Sequence, residues 1–162
     1  MKADLHNHSY YSDGLLSPSE VVRLASKASC DLFSLTDHDS IDGIAEAKLE
    51  ADKVGLNLIN GVEISAFWRN MAIHIVGLGV DVDNDILQSG LEHNKELRKI
   101  RAEKIALSLW RSGISDALEK AQIISGGHML TRTHFAQMLI QEGYCKDMKS
   151  VFRRYLTGKK PG

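Results

Sequence analysis

The chain has 162 residues, enough for one domain of ordinary size with a buried core. No apolar run reaches membrane-spanning length and no secretory signal opens the chain. Its two cysteines, Cys30 and Cys145, lie far apart in no metal-like spacing, which excludes a disulfide scaffold and reads as free thiols in a reducing cytoplasm. The net charge of −1 hides an asymmetry. Residues 1–81 carry 6 Lys+Arg and 12 Asp+Glu, whereas residues 82–162 carry 14 and 9. An acidic half suits cation binding, and a basic half suits a phosphate-bearing ligand.

Residues 2–6 read as a buried strand. Its end carries Asp4-Leu5-His6-Asn7-His8, with Asp13 five residues further on. Two histidines at i and i+2 place both imidazoles on one side of an extended segment. Neutral imidazole is the commonest metal ligand, and a carboxylate nearby adds a hard oxygen. Ser17-Pro18-Ser19-Glu20 reads as a capping box with proline at the first helical position. Residues 32–35 form a second strand, followed by the loop Thr36-Asp37-His38-Asp39. Ser40 is positioned to cap a helix over about 41–54, ended by Gly55. A third strand over 56–59 leads to Glu63. Strand–helix alternation with short loops predicts parallel βαβ units.

The rhythm then changes. Residues 63–80 predict two β segments joined near Arg69-Asn70, the second carrying His74. From Asp83 or Asn84 a long helix runs toward Arg111 and ends at Gly113. Shorter helices follow near 116–124, near 133–142 up to Gly143, and near 148–156 up to Gly158. The division between barrel-like α/β sequence and a helical module falls at about residue 82, giving segments 1–82 and 83–162.

In parallel α/β folds, functional groups gather at the carboxyl ends of strands. His6, His8, His38 and Glu63 all fall at such ends. Histidines mixed with carboxylates fit Mn²⁺, Zn²⁺ or Fe²⁺ better than Mg²⁺, which prefers oxygen and retains its waters. Asp4 and Asp37 read either as strand-end or capping carboxylates or as outer partners that orient histidines.

Four ordered motifs together resemble the polymerase and histidinol phosphatase (PHP) family of metal-dependent phosphoesterases. They are His6-x-His8 with Asp13, Thr36-Asp37-His38, Gly61-Val62-Glu63 and His74-Ile75-Val76-Gly77. Within the family, Thr131-Arg132-Thr133-His134-Phe135-Ala136 and Phe152-x-x-Tyr155-Leu156-x-Gly158-Lys159 resemble the phosphatases of nucleoside 3′,5′-bisphosphates and short oligoribonucleotides. The resemblance implies a partial, distorted TIM-like β/α barrel with a helical insertion. It implies His6, His8, Asp13, His38, Glu63 and His74 as catalytic metal ligands, with Glu63 as a bridge in a cluster of up to three metals. Arg132 and His134 become the substrate-side residues, because a guanidinium fork matches phosphate oxygens. Clustered metals would acidify a water for attack on phosphorus and neutralise the phosphate oxygens.

Six of the nine ligands in the family pattern have counterparts here. The His-Pro and Asp-x-His motifs that complete the pattern lie beyond Pro161-Gly162, so the resemblance implies the N-terminal part of a longer protein. An incomplete barrel leaves an open edge, which predicts self-association, weaker metal binding and little turnover. Two competing readings are another PHP activity, on histidinol phosphate or as a polymerase-associated exonuclease, and a non-catalytic metal-binding module.

Overall fold

The computed structural model of the protein describes residues 1–69 and 71–156. Its elements run β1 (Ala3–Asn7), α1 (Pro18–Lys27), β2 (Leu32–Leu35), α2 (Ile44–Val54), β3 (Asn57–Trp68), β4 (Met71–Leu78), α3 (Asp85–Arg111), α4 (Ala117–Ile124), α5 (Arg132–Gln141) and α6 (Met148–Val151). A π-helical turn, Phe152–Leu156, continues from α6. Asn70 of the predicted joint and the predicted helix stop Gly158, like Lys159, lie outside the described residues. Among the described residues no helix is long and apolar enough to cross a membrane. The chain divides into two compact units, Met1–Lys95 and a second beginning at Glu96.

The first unit is built on a four-stranded sheet in the order β1-β2-β3-β4. β1, β2 and β3 are parallel, and β4 returns antiparallel to β3. Parallel strands need crossover helices, which α1 and α2 supply. α1 starts as its sequence dictates. Ser17 Oγ accepts from Glu20 N at 3.2 Å, while Glu20 Oε2 accepts from Ser17 N at 2.9 Å. The Ser17 N–H bond, with a second donated by Ser17 Oγ to Glu20 Oε2 at 2.8 Å, holds the Glu20 carboxyl below its ordinary value. Val22, Ala25, Phe33, Leu35, Ala47, Ala51 and Leu56 form the core between helices and sheet.

Two expectations fail locally. Ser40 does not cap α2, because its hydroxyl donates to Asp42 Oδ2 at 2.8 Å and the helix begins only at Ile44. The third strand does not end before Glu63 but runs on to Trp68. Gly61 makes that continuity possible, since a Cβ there would lie 2.2 Å from Ser34 Oγ on the neighbouring strand. The other boundaries hold within a few residues. Asn84 Oδ1 accepts from Leu87 N at 3.0 Å at the start of α3, and Gly55, with φ 70°, ends α2.

β4 forms one edge of the sheet. Ile73, Ile75, Val76 and Leu78 on it are all exposed. The second unit packs Ile105 and Leu109 of α3 with Phe135, Met138 and Leu139 of α5, closed by Val151 and Leu156. Gly113 and Gly143 carry positive φ where the sequence placed helix ends.

Candidate metal centre

β1 delivers His6 from within the strand and His8 one residue past its end. The loop after it is then folded by a buried carboxylate. Asp37 Oδ1 accepts from Ser9 N at 2.7 Å and from Ser12 Oγ at 2.6 Å, and Asp37 Oδ2 accepts from Ser9 Oγ at 2.6 Å. Ser9, Ser12 and Asp37 are all buried. Burial pushes the Asp37 carboxyl above its ordinary value, against the opposing pull of the Ser12 and Ser9 hydrogen bonds. Ser12 and Gly14 also donate their backbone N–H groups to Ser9 O, which closes the loop and brings Asp13 back toward His8.

Glu63 occupies the place where β3 passes from its parallel partner to its antiparallel one. Its N–H donates to Asp37 O at 3.1 Å, and its carbonyl accepts from Asp39 N at 2.9 Å. His38 lies opposite it as an isolated parallel bridge. On the other side Glu63 pairs with Val76, so His74, two residues away, shares its face of the sheet.

Four imidazoles therefore surround one buried carboxylate. Glu63 Oε2 is 2.9 Å from His6 Nε2, 3.1 Å from His8 Nε2 and 3.3 Å from His38 Nδ1. Glu63 Oε1 is 2.9 Å from His74 Nδ1. Asp13 Oδ1 sits 3.6 Å from His8 Nδ1 and 4.0 Å from His38 Nε2. Burial pushes the Glu63 carboxyl up, but the His6 hydrogen bond and the charges of His38 and His8 outweigh it and hold the group below its ordinary value.

These residues fall into three overlapping donor sets: His6–His8–Glu63, His8–Asp13–His38 and His38–Glu63–His74. Within each set the ligand atoms lie within 4.8 Å of one another. Nitrogen–oxygen sets of this kind fit a borderline divalent cation such as Zn²⁺, Mn²⁺ or Fe²⁺. Glu63 belongs to two of the sets and its two oxygens fit two cations at close spacing, whereas His8 and His38, with one lone pair each when neutral, would each serve one.

The PHP domain family matches residues 4–159. The chain belongs to the PHP domain family. It is 44% identical over 160 residues to a 3′,5′-nucleoside bisphosphate phosphatase of Chromobacterium violaceum, covering 98% of this chain and 56% of that protein. It is 42% identical over 161 residues to the 5′-3′ exoribonuclease Rnm of Escherichia coli, covering 98% and 55%. The chain thus spans about half the length of the curated relatives it matches. A solved structure of an amidohydrolase from Chromobacterium violaceum, with bound sulfate and no metal, superposes with a TM-score of 0.94 at 42% identity, covering 99% of this chain and 57% of that one. The α/β fold described above is a partial PHP-type barrel.

The remaining predicted residues of this PHP chain occupy other surroundings. The hydrogen bond described for the Asp4 carboxylate comes from Asn7 Nδ2 at 2.9 Å, so it steadies the strand end between the two histidines. Arg132 opens α5 in the second unit. His134 is buried there, and its Nδ1 accepts from Thr131 N at 3.1 Å, which caps α5.

Sequence reasoning missed Ser9 and Ser12 as ligands of Asp37. It also missed Asp39, whose Oδ1 accepts from Ser65 N and from Asn94 Nδ2, both at 2.8 Å. Asn94 lies 55 residues away. Gly14 is held in the same loop as Ser9 and Ser12 by a close approach. A Cβ there would lie 2.3 Å from His8 O and 2.6 Å from His8 C. Backbone cannot yield as a flexible side chain can. Gly14→Ala is therefore expected to displace His8 and to weaken cation binding by about 10- to 100-fold, the range seen when a ligand's support is lost. Calorimetric titration with Zn²⁺ checks this, and wild-type affinity would show that the loop tolerates the methyl group.

Proposed function

We propose that this chain carries the cation-binding part of a PHP phosphoesterase that hydrolyses phosphate monoesters of nucleotides. Nucleoside 3′,5′-bisphosphates are the first substrate class, with short oligoribonucleotides beside them. The observation that carries the reading is the Glu63 carboxylate with four imidazole nitrogens 2.9–3.3 Å away. The activities of the two enzymes named above support the substrate class. The free thiols Cys30 and Cys145 suit a cytoplasmic setting.

His6, His8, His38, His74, Glu63 and Asp13 would hold divalent cations, Mn²⁺, Zn²⁺ or Fe²⁺, up to three in a complete PHP site. Bound there, such cations supply Lewis acidity toward the phosphate oxygens and toward an attacking water. The protein's own part is placement. Glu63 draws the histidines of three separate segments onto one carboxylate. The His6 and His74 side chains are 55% and 42% exposed, so the centre is open to a ligand from outside. Arg132 would bind a phosphate oxygen pair through its planar fork, with His134 near it in sequence. The exposed edge of β4 would support self-association.

Metal analysis of the purified chain, paired with phosphate release from adenosine 3′,5′-bisphosphate, tests the proposal. Bound Mn, Zn or Fe is the expected result for this chain, and cation-dependent release is expected of the complete protein that contains it. His8→Ala should remove both. Arg132→Ala should raise KM roughly ten- to a hundredfold, because a charge-assisted hydrogen bond contributes about 1.5–3 kcal/mol. A chain free of bound metal after incubation with each of the three cations would overturn the reading.

A further inference from the structure

Ser12 stands between a buried carboxylate and an imidazole of the centre. Its Oγ is 2.6 Å from Asp37 Oδ1 and 3.3 Å from His8 Nδ1. A hydroxyl has one proton to give. Asp37 Oδ1 also accepts from Ser9 N, and Oδ2 accepts from Ser9 Oγ, so each contact places a donor on an acceptor-only carboxylate. Ser9 Oγ is committed in the same sense, because it accepts from Tyr11 N at 3.2 Å. The Ser12 proton thus points to Asp37. What Ser12 offers His8 is a lone pair.

We propose that Ser12, oriented by Asp37, is a positioning residue that keeps neutral His8 in its Nδ1–H form and turns the Nε2 lone pair toward Glu63. This rests on the reading of the site as a cation centre. In that form His8 Nε2 and Glu63 Oε2 are two acceptors 3.1 Å apart. Two lone pairs at that separation repel, and a cation drawing on both relieves the repulsion. Ser12 touches no substrate in this role. It works through His8 by fixing which nitrogen carries the proton, as outer partners of metal-bound histidines do.

Long-range nitrogen–proton NMR on the ¹⁵N-histidine protein, metal-free at a pH of about 8.5 where ordinary imidazoles are neutral, reads the tautomer directly. His8 is assigned by its loss in His8→Gln. The expected wild-type pattern is a protonated Nδ1 and an unprotonated Nε2 on His8. Ser12→Ala should shift His8 toward the Nε2–H form and lower Zn²⁺ affinity about 10- to 100-fold at an unchanged fold by circular dichroism. Ser12→Thr, which keeps the hydroxyl, should restore the wild-type pattern. A wild-type His8 in the Nε2–H form overturns the inference. So does an unaltered tautomer in Ser12→Ala. A wild type that binds no Zn²⁺ would sink the proposed function, while the metal-free tautomer would still decide the part played by Ser12.

Discussion

Glu63→Gln is expected to abolish tight cation binding while leaving the fold in place. Glu63 belongs to two of the three donor sets, and each loses its anionic ligand at once. The amide keeps the shape but carries no charge, and its NH₂ group would turn two donors toward imidazoles meant for a cation. Support residues around a metal typically cost 10- to 100-fold in affinity when lost. The loss of a shared ligand should exceed that, to more than about 100-fold for Zn²⁺ or Mn²⁺ in a calorimetric titration. A change below about threefold would remove Glu63 from the centre. The pH dependence follows from the same group. The folded Glu63 carboxyl lies below its ordinary value, so in the metal-free protein its ionised form stabilises the fold above the ordinary glutamate range near 4.3. That contribution is lost as pH falls through the lowered folded value. Cation binding should weaken as pH falls, because protons compete with the cation for its ligands.

Asp37→Ala should be the most destabilising single change in the first unit. It strands Ser9 N, Ser9 Oγ and Ser12 Oγ, which belong to buried residues. An unsatisfied buried donor costs about 1–3 kcal/mol. The relief of burying a charge offsets part of this, since burial raises the folded Asp37 pKa and so makes the ionised form costly at neutral pH. The net loss is expected to be on the order of 3 kcal/mol. For a unit of this size that lowers the midpoint of thermal unfolding by roughly 10 °C or more. The raised value also sets a sign. The part of stability tied to Asp37 ionisation is fully present below its unfolded pKa and is lost as pH rises through the folded one. A thermal melt within about 2 °C of wild type would show that Asp37 does not hold the loop.

Much of this was legible in the sequence. A short apolar run ending in His-x-His declares a strand with polar groups at its tip, and β1 bears them there. The Ser17–Glu20 box and the glycines at 55, 113 and 143 mark helix ends through local chemistry alone. The rest depended on contacts across the chain. The strand expected over 56–59 stops short of Gly61, yet β3 continues through that glycine, where Ser34 Oγ leaves no room for a side chain. Ser40 looked like a cap and instead closes on Asp42. Asp39 and Asn94 carry no local mark of their meeting, because no short-range pattern joins residues so far apart. The buried His134 imidazole engages the N-terminus of its own helix, a contact that its motif does not announce.

One consequence of the β3 geometry concerns how a cation would arrive. Glu63 is fixed by backbone bonds to Asp37 and Asp39, which flank His38, on one side and by the antiparallel ladder bearing His74 on the other. The donors are thus assembled by folding, before any ion is present. In small zinc domains ion binding and folding are the same event. Here the ordering entropy falls on the folding step, so uptake should leave the far-ultraviolet spectrum unchanged and show little change in heat capacity. Its rate should follow the shedding of water by the ion rather than any rearrangement of the chain. The metal-free form would then be a preorganised receptor, ready to exchange one divalent ion for another as supply changes.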